Sequence, residues 1–423
     1  MDISGPRGTH DILPGESSLW QMIESLLCRM AELYGYREVR LPIFEHTELF
    51  ERGVGDFTDI VQKEMYTFND RGNRSLTLRP EGTASCARAF IEHKIYNQAQ
   101  PTKWYYLGPM FRYDRPQAGR FRQFHQFGLE AFGSNDPGVD AEVIALLVRM
   151  VEKAGVSQSV LHLNTVGCPD CRPLYRERLL QHLRPLAADL CDDCRFRIEK
   201  NPLRVLDCKI SSCQEAVKGH PTLHSYLCDR CGHHFEQVQV ILSTYGIPYV
   251  LDPKLVRGLD YYTKTAFELI LPDLGAQAAV GGGGRYDGLI EECGGPPTPG
   301  IGFALGLERL LMAVEKQKSV AWEIGPAVEV FVATADREYE RDACLVLDRL
   351  RAAGIKADKD YMDRSLKAQM KYAGKSEVRL VVVIGEEEIR KGSLVVRDMT
   401  RQEQREIPAD ELIEHIKSIL AKT

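Results

Sequence analysis

The stretch from Lys103 to Gly133 constrains the fold of this chain more than any other. Apolar and polar residues alternate on both sides of Pro116–Gly119, the mark of two strands joined by a turn. In the second strand, a period of two puts Arg122, Phe124, Gln126, Gly128 and Glu130 on one face. Buried polar groups need partners, and a polar ligand would supply them; a solvated hairpin face is the alternative. Gly128 lacks a side chain between Gln126 and Glu130, so a ligand could lie close to the backbone there. Around Asp114 crowd the cations Lys103, Arg112, Arg115, Arg120 and Arg122.

The rest of the chain sorts itself around this hairpin. At 423 residues it exceeds one ordinary core, which implies two or three domains. Leu19, Ile23, Leu26, Met30 and Leu33 recur at helical spacing after Ser17, and Gly35 ends the run. Tyr36 to Phe44 carries Pro42 and suits an edge strand. Ser75–Leu78 reads as a short strand, and about Asp140 to Ala154 as a helix stopped by Gly155. After Gly325 and Pro326 the pattern becomes strand (Val328–Val332), helix (Arg337–Ala353), strand (Leu380–Ile384), which implies a small α/β domain over residues 326–423. Residues 1–325 form a separate α+β domain built on antiparallel hairpins, interrupted over 167–240 by a helical, cysteine-rich module.

Composition narrows the classes. With 44% hydrophobic and 27% charged residues the chain has ample material for cores. No run approaches the roughly 18 apolar residues of a membrane helix, and Met1 to Ile12 shows no signal-type stretch, so a cytoplasmic, membrane-free protein is expected. The net charge of −6 argues against nonspecific nucleic-acid binding but not against a local patch. Arg364, Lys367, Lys371 and Lys375 form such a stripe at helical spacing, for phosphate binding or simply for solvation.

Eight of the twelve cysteines lie between Cys168 and Cys231. Six of them make three C-x-x-C pairs, starting at Cys168, Cys191 and Cys228, with Cys208 and Cys213 beside them. In a reducing compartment such pairs suit tetrahedral zinc. The expected ligand set is Cys191, Cys194, Cys228 and Cys231, a structural Zn2+ with no open position; free thiols are the alternative.

Four further segments carry chemistry. Arg79-Pro80-Glu81-Gly82-Thr83 turns a strand into a helix, and Glu81 could receive an ammonium group or simply favour the helix start. Leu255 to Tyr262 (LVRGLDYY) sets Arg257 beside Tyr261 and Tyr262; adjacent tyrosines in a strand would point to opposite faces, so one ring at most would reach a ligand. Gly281 to Gly284 is too flexible for a core strand, and permits close backbone approach as a loose turn or a site. Gly302 to Arg309 reads as strand, glycine and helix. Arg309, in the first helical turn, opposes the dipole unless an anion faces it. The chain has no phosphate loop of the G-x-x-x-x-G-K type. Arginine forks can hold phosphates without one.

With these segments together, the chain resembles the class II aminoacyl-tRNA synthetases, and within them the histidyl-tRNA synthetase family, over nearly its whole length. Arg7 to Pro14 resembles the family's opening, Tyr36–Phe50 the class motif of the dimer interface, Gly108–Glu130 the second motif and Gly302–Arg309 the third. LVRGLDYY and GGGGRYDGL, from Leu255 and Gly281, resemble signatures of the histidine enzyme. The nearest rival reading is the family's non-catalytic relative, the histidine-binding regulatory subunit of ATP phosphoribosyltransferase; the intact LVRGLDYY with Arg257 and the α/β domain after Gly325, which that relative generally lacks, favour the enzyme.

The resemblance implies a class II antiparallel sheet flanked by helices with a C-terminal anticodon-binding domain, and a homodimer. It implies a ligase that joins L-histidine to tRNA(His) using ATP and Mg2+. Catalysis would rest on Arg257 and Arg112, flanking the α-phosphate, with Arg309 on the γ-phosphate. Histidine would be held by Glu81, Gly82, Thr83, Arg112, Gln126 and Arg257, and its imidazole read by Glu130 with Tyr261 or Tyr262.

Overall fold

A computed structural model describes residues 3–55, 58, 60–206, 208, 210–256, 261–272, 274, 279–318 and 325–421. The chain divides into two compact units, Met1–Trp322 and Glu323–Thr423.

The first unit is organised by an eight-stranded sheet. Its order runs Arg37–Glu38, Thr102–Phe111, Gln123–Phe132, Gly300–Gly306, Ala279–Arg285, Thr263–Ile270, Val160–Thr165, Val250–Leu251. The hairpin read from the sequence forms the second and third strands, in full antiparallel register from Thr102 opposite Phe132 to Phe111 opposite Gln123. Only the two outermost pairings are parallel. The Tyr36–Phe44 segment is split about Pro42: Arg37–Glu38 edges the large sheet, while Phe44–His46 edges a small sheet with Tyr66–Asn69 and Ser75–Leu78.

Alternation decides what each face does. Phe127, Leu129 and Ala131 point into the main core with Phe267, Leu269, Ile301, Phe303 and Leu305. Helices Glu16–Leu33, Pro137–Lys153, Asp229–Thr244 and Leu307–Gln317 cover that side. The first helix buries Trp20, Ile23, Leu27, Met30 and Ala31, so the buried stripe is rotated from the one expected, and Leu33 is 83% exposed. Spacing alone cannot choose between stripes that share Ile23 and Met30; the sheet beneath chooses. The opposite face packs against helix Thr83–Glu92 through an aromatic cluster that includes Tyr106, Tyr261, Tyr262 and Tyr286.

The glycine run departs from expectation. Gly281–Gly284 is not a loose turn but the middle of the central strand Ala279–Arg285, buried and paired on both sides. A Cβ at Gly283 would stand 1.9 Å from the Gly302 carbonyl oxygen, and one at Gly284 2.5 Å from that of Thr265. The strand is held by its neighbours' ladders and needs glycine for clearance.

Residues within 167–240 fold mainly as short helices around a separate core of Tyr175, Leu179, Leu183, Ile198, Val205 and Leu223 with three cysteines. The closing helix, Asp229–Thr244, returns to the main core through Phe235, Val238 and Leu242. It is tied there by polar contacts as well. Arg285, fully buried, donates to the Asp140 carboxylate, and His234 Nε2 lies 3.0 Å from Asp140 Oδ1.

The second unit is a five-stranded sheet in the order Ala357–Lys359, Val330–Thr334, Leu380–Ile384, Ser393–Asp398, Glu403–Pro408, the first three parallel. Helices Glu340–Ala352 and Leu412–Leu420 pack on one face and Leu366–Lys375 on the other. Lys367, Lys371 and Lys375 are exposed along that last helix. Arg364 is not part of the stripe: it pairs with Asp360 at 2.8 Å and covers the Tyr372 ring. Among the described residues no helix is long and apolar enough to cross a membrane.

Candidate active site

A cavity of about 290 Å³ opens over the second face of the large sheet. Cross-strand register shows why there is room. One row across the sheet reads Trp104, Glu130, Gly302, Gly284, Ala266, and the next Tyr106, Gly128, Ala304, Gly282, Glu268. Small residues in both rows leave a hollow between larger neighbours.

Arg112 and Arg309, far apart in the chain, both line this cavity. Arg112 is steered by its Nε, which donates to the Pro80 carbonyl at 2.8 Å, and its guanidinium covers the Phe124 ring. Arg309 donates to the carbonyls of Gly119 (3.2 Å) and Ala279 (2.6 Å). Arg120 joins them, paired with Asp114. Burial lowers the pKa of Arg309, and the charges of Arg120 and Arg112 push it further down. Three cations close enough to repel one another would gain from a polyanion set between them. Arg120 is a residue that the sequence reading named without a role; its place in the hairpin turn carried the only signal. Of the other hairpin cations, Lys103 pairs with Glu142 and Arg122 stacks on Tyr113, away from the cavity lining. Arg257 lies outside the described residues.

Glu81, Thr83, Gln126, Tyr261 and Tyr262 line the same cavity. Glu81 accepts from the amides of Thr83 (2.7 Å) and Ala84 (2.9 Å), the helix-start role, while its carboxylate borders the cavity. Burial raises its pKa, and those amides oppose the rise. Among the described residues Gln126 Oε1 is buried with no hydrogen-bond partner, so it can accept from a ligand's donor. Both tyrosines line the cavity and their rings lie side by side, contrary to the opposite-faces expectation. They precede the strand Thr263–Ile270 rather than belonging to it, so pleat alternation does not apply, and their rings sit 4.7 Å apart.

Two glycines serve a different purpose from the one expected. The Tyr106 ring is sandwiched between Gly82 and Gly128: a Cβ would stand 2.3 Å from it at the first and 2.0 Å at the second. Gly82 and Gly128 therefore make room for an aromatic side chain, and neither lines the cavity. The Tyr106 hydroxyl donates to Glu130.

Glu130 lies behind the wall, beneath Gly302, and is 1% exposed. Oε1 accepts from Thr83 (2.7 Å) and Tyr106 (3.3 Å), and Oε2 from Tyr286. Burial raises its pKa to about 8, against the pull of those hydroxyls and with the Glu81 charge adding to the rise. Tyr286, which the sequence reading passed over inside GGGGRYDGL, links this carboxyl to the cavity it lines. Glu268 and Glu308 add carboxylates to the same cavity, and Glu308 Oε1 is held by the His125 amide at 2.8 Å.

The expected zinc quartet does not assemble. Cys191 and Cys194 group with Cys208 and Cys213, whereas Cys228 and Cys231 group with Cys168 and Cys171. Sequence spacing paired the wrong C-x-x-C units because the helices between them fold back and interleave. Each group could hold a metal ion.

Comparison with known proteins agrees with this geometry. The family model described as histidyl-tRNA synthetase matches residues 8–171 and 204–310, and that of an anticodon binding domain matches residues 329–419. The histidine–tRNA ligase of Desulforamulus reducens is 57% identical over 413 residues, 98% of each chain. That of Syntrophomonas wolfei is 56% identical over 420 residues, 99% of each. The crystal structure of apo histidyl-tRNA synthetase from S. aureus superimposes with a TM-score of 0.84 at 42% identity, covering 98% of this chain and 100% of that one.

Proposed function

The chain belongs to the histidyl-tRNA synthetase family, and from that premise we propose that it is a histidine–tRNA ligase. It activates L-histidine with ATP to histidyl-adenylate and then passes histidine to the 3′ end of tRNA(His). The observation that carries this reading is the convergence of Arg112, Arg120 and Arg309 with Glu81, Gln126 and the paired tyrosines on one cavity.

In the first step the histidine carboxylate oxygen forms a bond to the α-phosphorus while the bond to the pyrophosphate oxygen breaks. No group of the protein becomes covalently attached, so its work is positioning and charge stabilisation. Arg112 holds the α-phosphate and the carboxylate, and Arg309 the γ-phosphate. Arg257 acts on the other side of the α-phosphate, a role that rests on the family motif LVRGLDYY. Gln126 Oε1 and Glu81 accept from the substrate ammonium group beside Thr83. Tyr262 or Tyr261 meets the imidazole, with Glu130 behind Gly302 as the acceptor for its N–H. Glu268 and Glu308, which line the cavity, would hold a magnesium ion arriving with the triphosphate, and that ion would screen its charge.

We further propose that the second unit binds the anticodon stem through Lys367, Lys371 and Lys375, and that the enzyme is a cytoplasmic homodimer. The large apolar side chains of Ile43, Phe44 and Phe68, exposed around the small sheet, support the last point. Pyrophosphate–ATP exchange with a panel of amino acids tests the main reading. Exchange with histidine alone is expected; exchange with none of them sinks it. Sedimentation at the dimer mass tests the assembly.

A further inference from the structure

We propose that the inserted module binds two zinc ions in an interleaved arrangement, one held by Cys168, Cys171, Cys228 and Cys231 and the other by Cys191, Cys194, Cys208 and Cys213. In each quartet the sulfur atoms all lie within 4.8 Å of one another. Zinc–thiolate bonds of about 2.3 Å in a tetrahedron set sulfurs roughly 3.8 Å apart. Cys168 Sγ lies 3.6 Å from Cys171 Sγ and 3.9 Å from Cys228 Sγ. Four soft thiolates in tetrahedral spacing select zinc over the hard cations.

Cys171, Cys191 and Cys228 occupy the cap positions of helices Arg172–Leu183, Asp192–Lys200 and Asp229–Thr244, where the dipole favours negative charge. Two ligand amides point at ligand sulfurs: Cys228 N donates to Cys171 Sγ and Cys191 N to Cys213 Sγ, both at 3.2 Å. The module also needs a staple. Helices Leu203–Leu206 and Ser211–Ala216 have four and six residues, too short to persist alone. Its small core includes Cys194, Cys208 and Cys213 themselves. Cys191 and Cys194 fall between the two segments matched by the family model, and Cys208 and Cys213 at the start of the second.

The two centres differ in what they touch. The first joins the chain's entry into the module to its exit, and the adjoining Arg172 donates to the carbonyls of Val166 (3.2 Å) and Tyr262. Tyr262 lines the cavity, so this centre positions a wall of the substrate site. The second lies within the module's own core.

Elemental analysis of the full chain, purified without chelator or metal-affinity resin, is expected to give two zinc ions per chain. None, one, or iron in their place would overturn the proposal. Cys228→Ser/Cys231→Ser and Cys191→Ser/Cys194→Ser should each retain one ion; a single centre shared by those four residues would leave none in either variant. Should a variant fail to fold, titrating the native protein with a mercurial and a zinc indicator replaces it. Release of two ions supports the proposal, and release of fewer refutes it. These stoichiometries do not depend on the proposed activity. The positioning role does rest on it: losing the first centre should raise the histidine KM severalfold, while losing the second leaves it unchanged. Equal effects would remove that role.

Discussion

The carboxyl of Glu130 sits directly beneath Gly302, where an added Cβ would stand 2.0 Å from Oε2. The glycine lines the cavity in front of the buried acid, and it also clears the neighbouring strand, since the same Cβ would stand 2.2 Å from the Leu129 carbonyl oxygen. Gly302→Ala should displace both Glu130 and the Leu129 backbone, at a cost of about 3 kcal/mol, the upper end of the usual range for overpacking. A rise in histidine KM of about tenfold or more is expected, with the ATP KM nearly unchanged. Equal shifts in both would mean a general collapse of the site rather than a displaced Glu130.

Glu130 also makes stability depend on pH. Its pKa is raised to about 8, chiefly by burial, so the folded state holds a proton that the unfolded chain releases near the ordinary value of about 4.3. Its contribution is thus complete below that ordinary value and is lost as pH rises through about 8. Glu130→Gln removes the titration while keeping the shape. Thermal melts should show a flatter profile from about pH 5 to about pH 8 in the variant. An identical slope would place the pH dependence elsewhere.

The Asp140–Arg285 pair is fully buried on both sides, with His234 completing it. Asp140→Ala strands a guanidinium inside the protein, which costs about 3–5 kcal/mol. Denaturant titration should register that loss in the first unit, and a change under about 1 kcal/mol would contradict a structural role.

Among the cations, Arg309→Ala and Arg120→Ala should each weaken ATP use in the exchange assay by about tenfold or more, the equivalent of roughly 1.4 kcal/mol. The histidine KM should move much less. If Arg120→Ala behaves as the native chain, its guanidinium serves only Asp114 and Glu64.

The exposed lysines of Leu366–Lys375 invite a test by charge reversal. Lys367→Glu/Lys371→Glu should weaken tRNA binding and flatten its salt dependence by about two phosphates' worth of slope. Amino-acid activation should be untouched. Unaltered binding would reduce the stripe to a solvated face.

The sequence by itself determined the hairpin around Pro116–Gly119, the change of architecture after Gly325 and the strand–glycine–helix that carries Arg309. Each follows from local periodicity and turn chemistry, which need no knowledge of distant residues. Only the tertiary structure decided that Gly281–Gly284 is a buried strand, that both tyrosines face one cavity, that Gly82 and Gly128 clasp Tyr106, and which cysteines group. Those facts depend on which strand lies beside which and on how helices fold back, so they arise from contacts between residues remote in the chain. Clearance, burial and sulfur–sulfur distance exist only once that packing is formed.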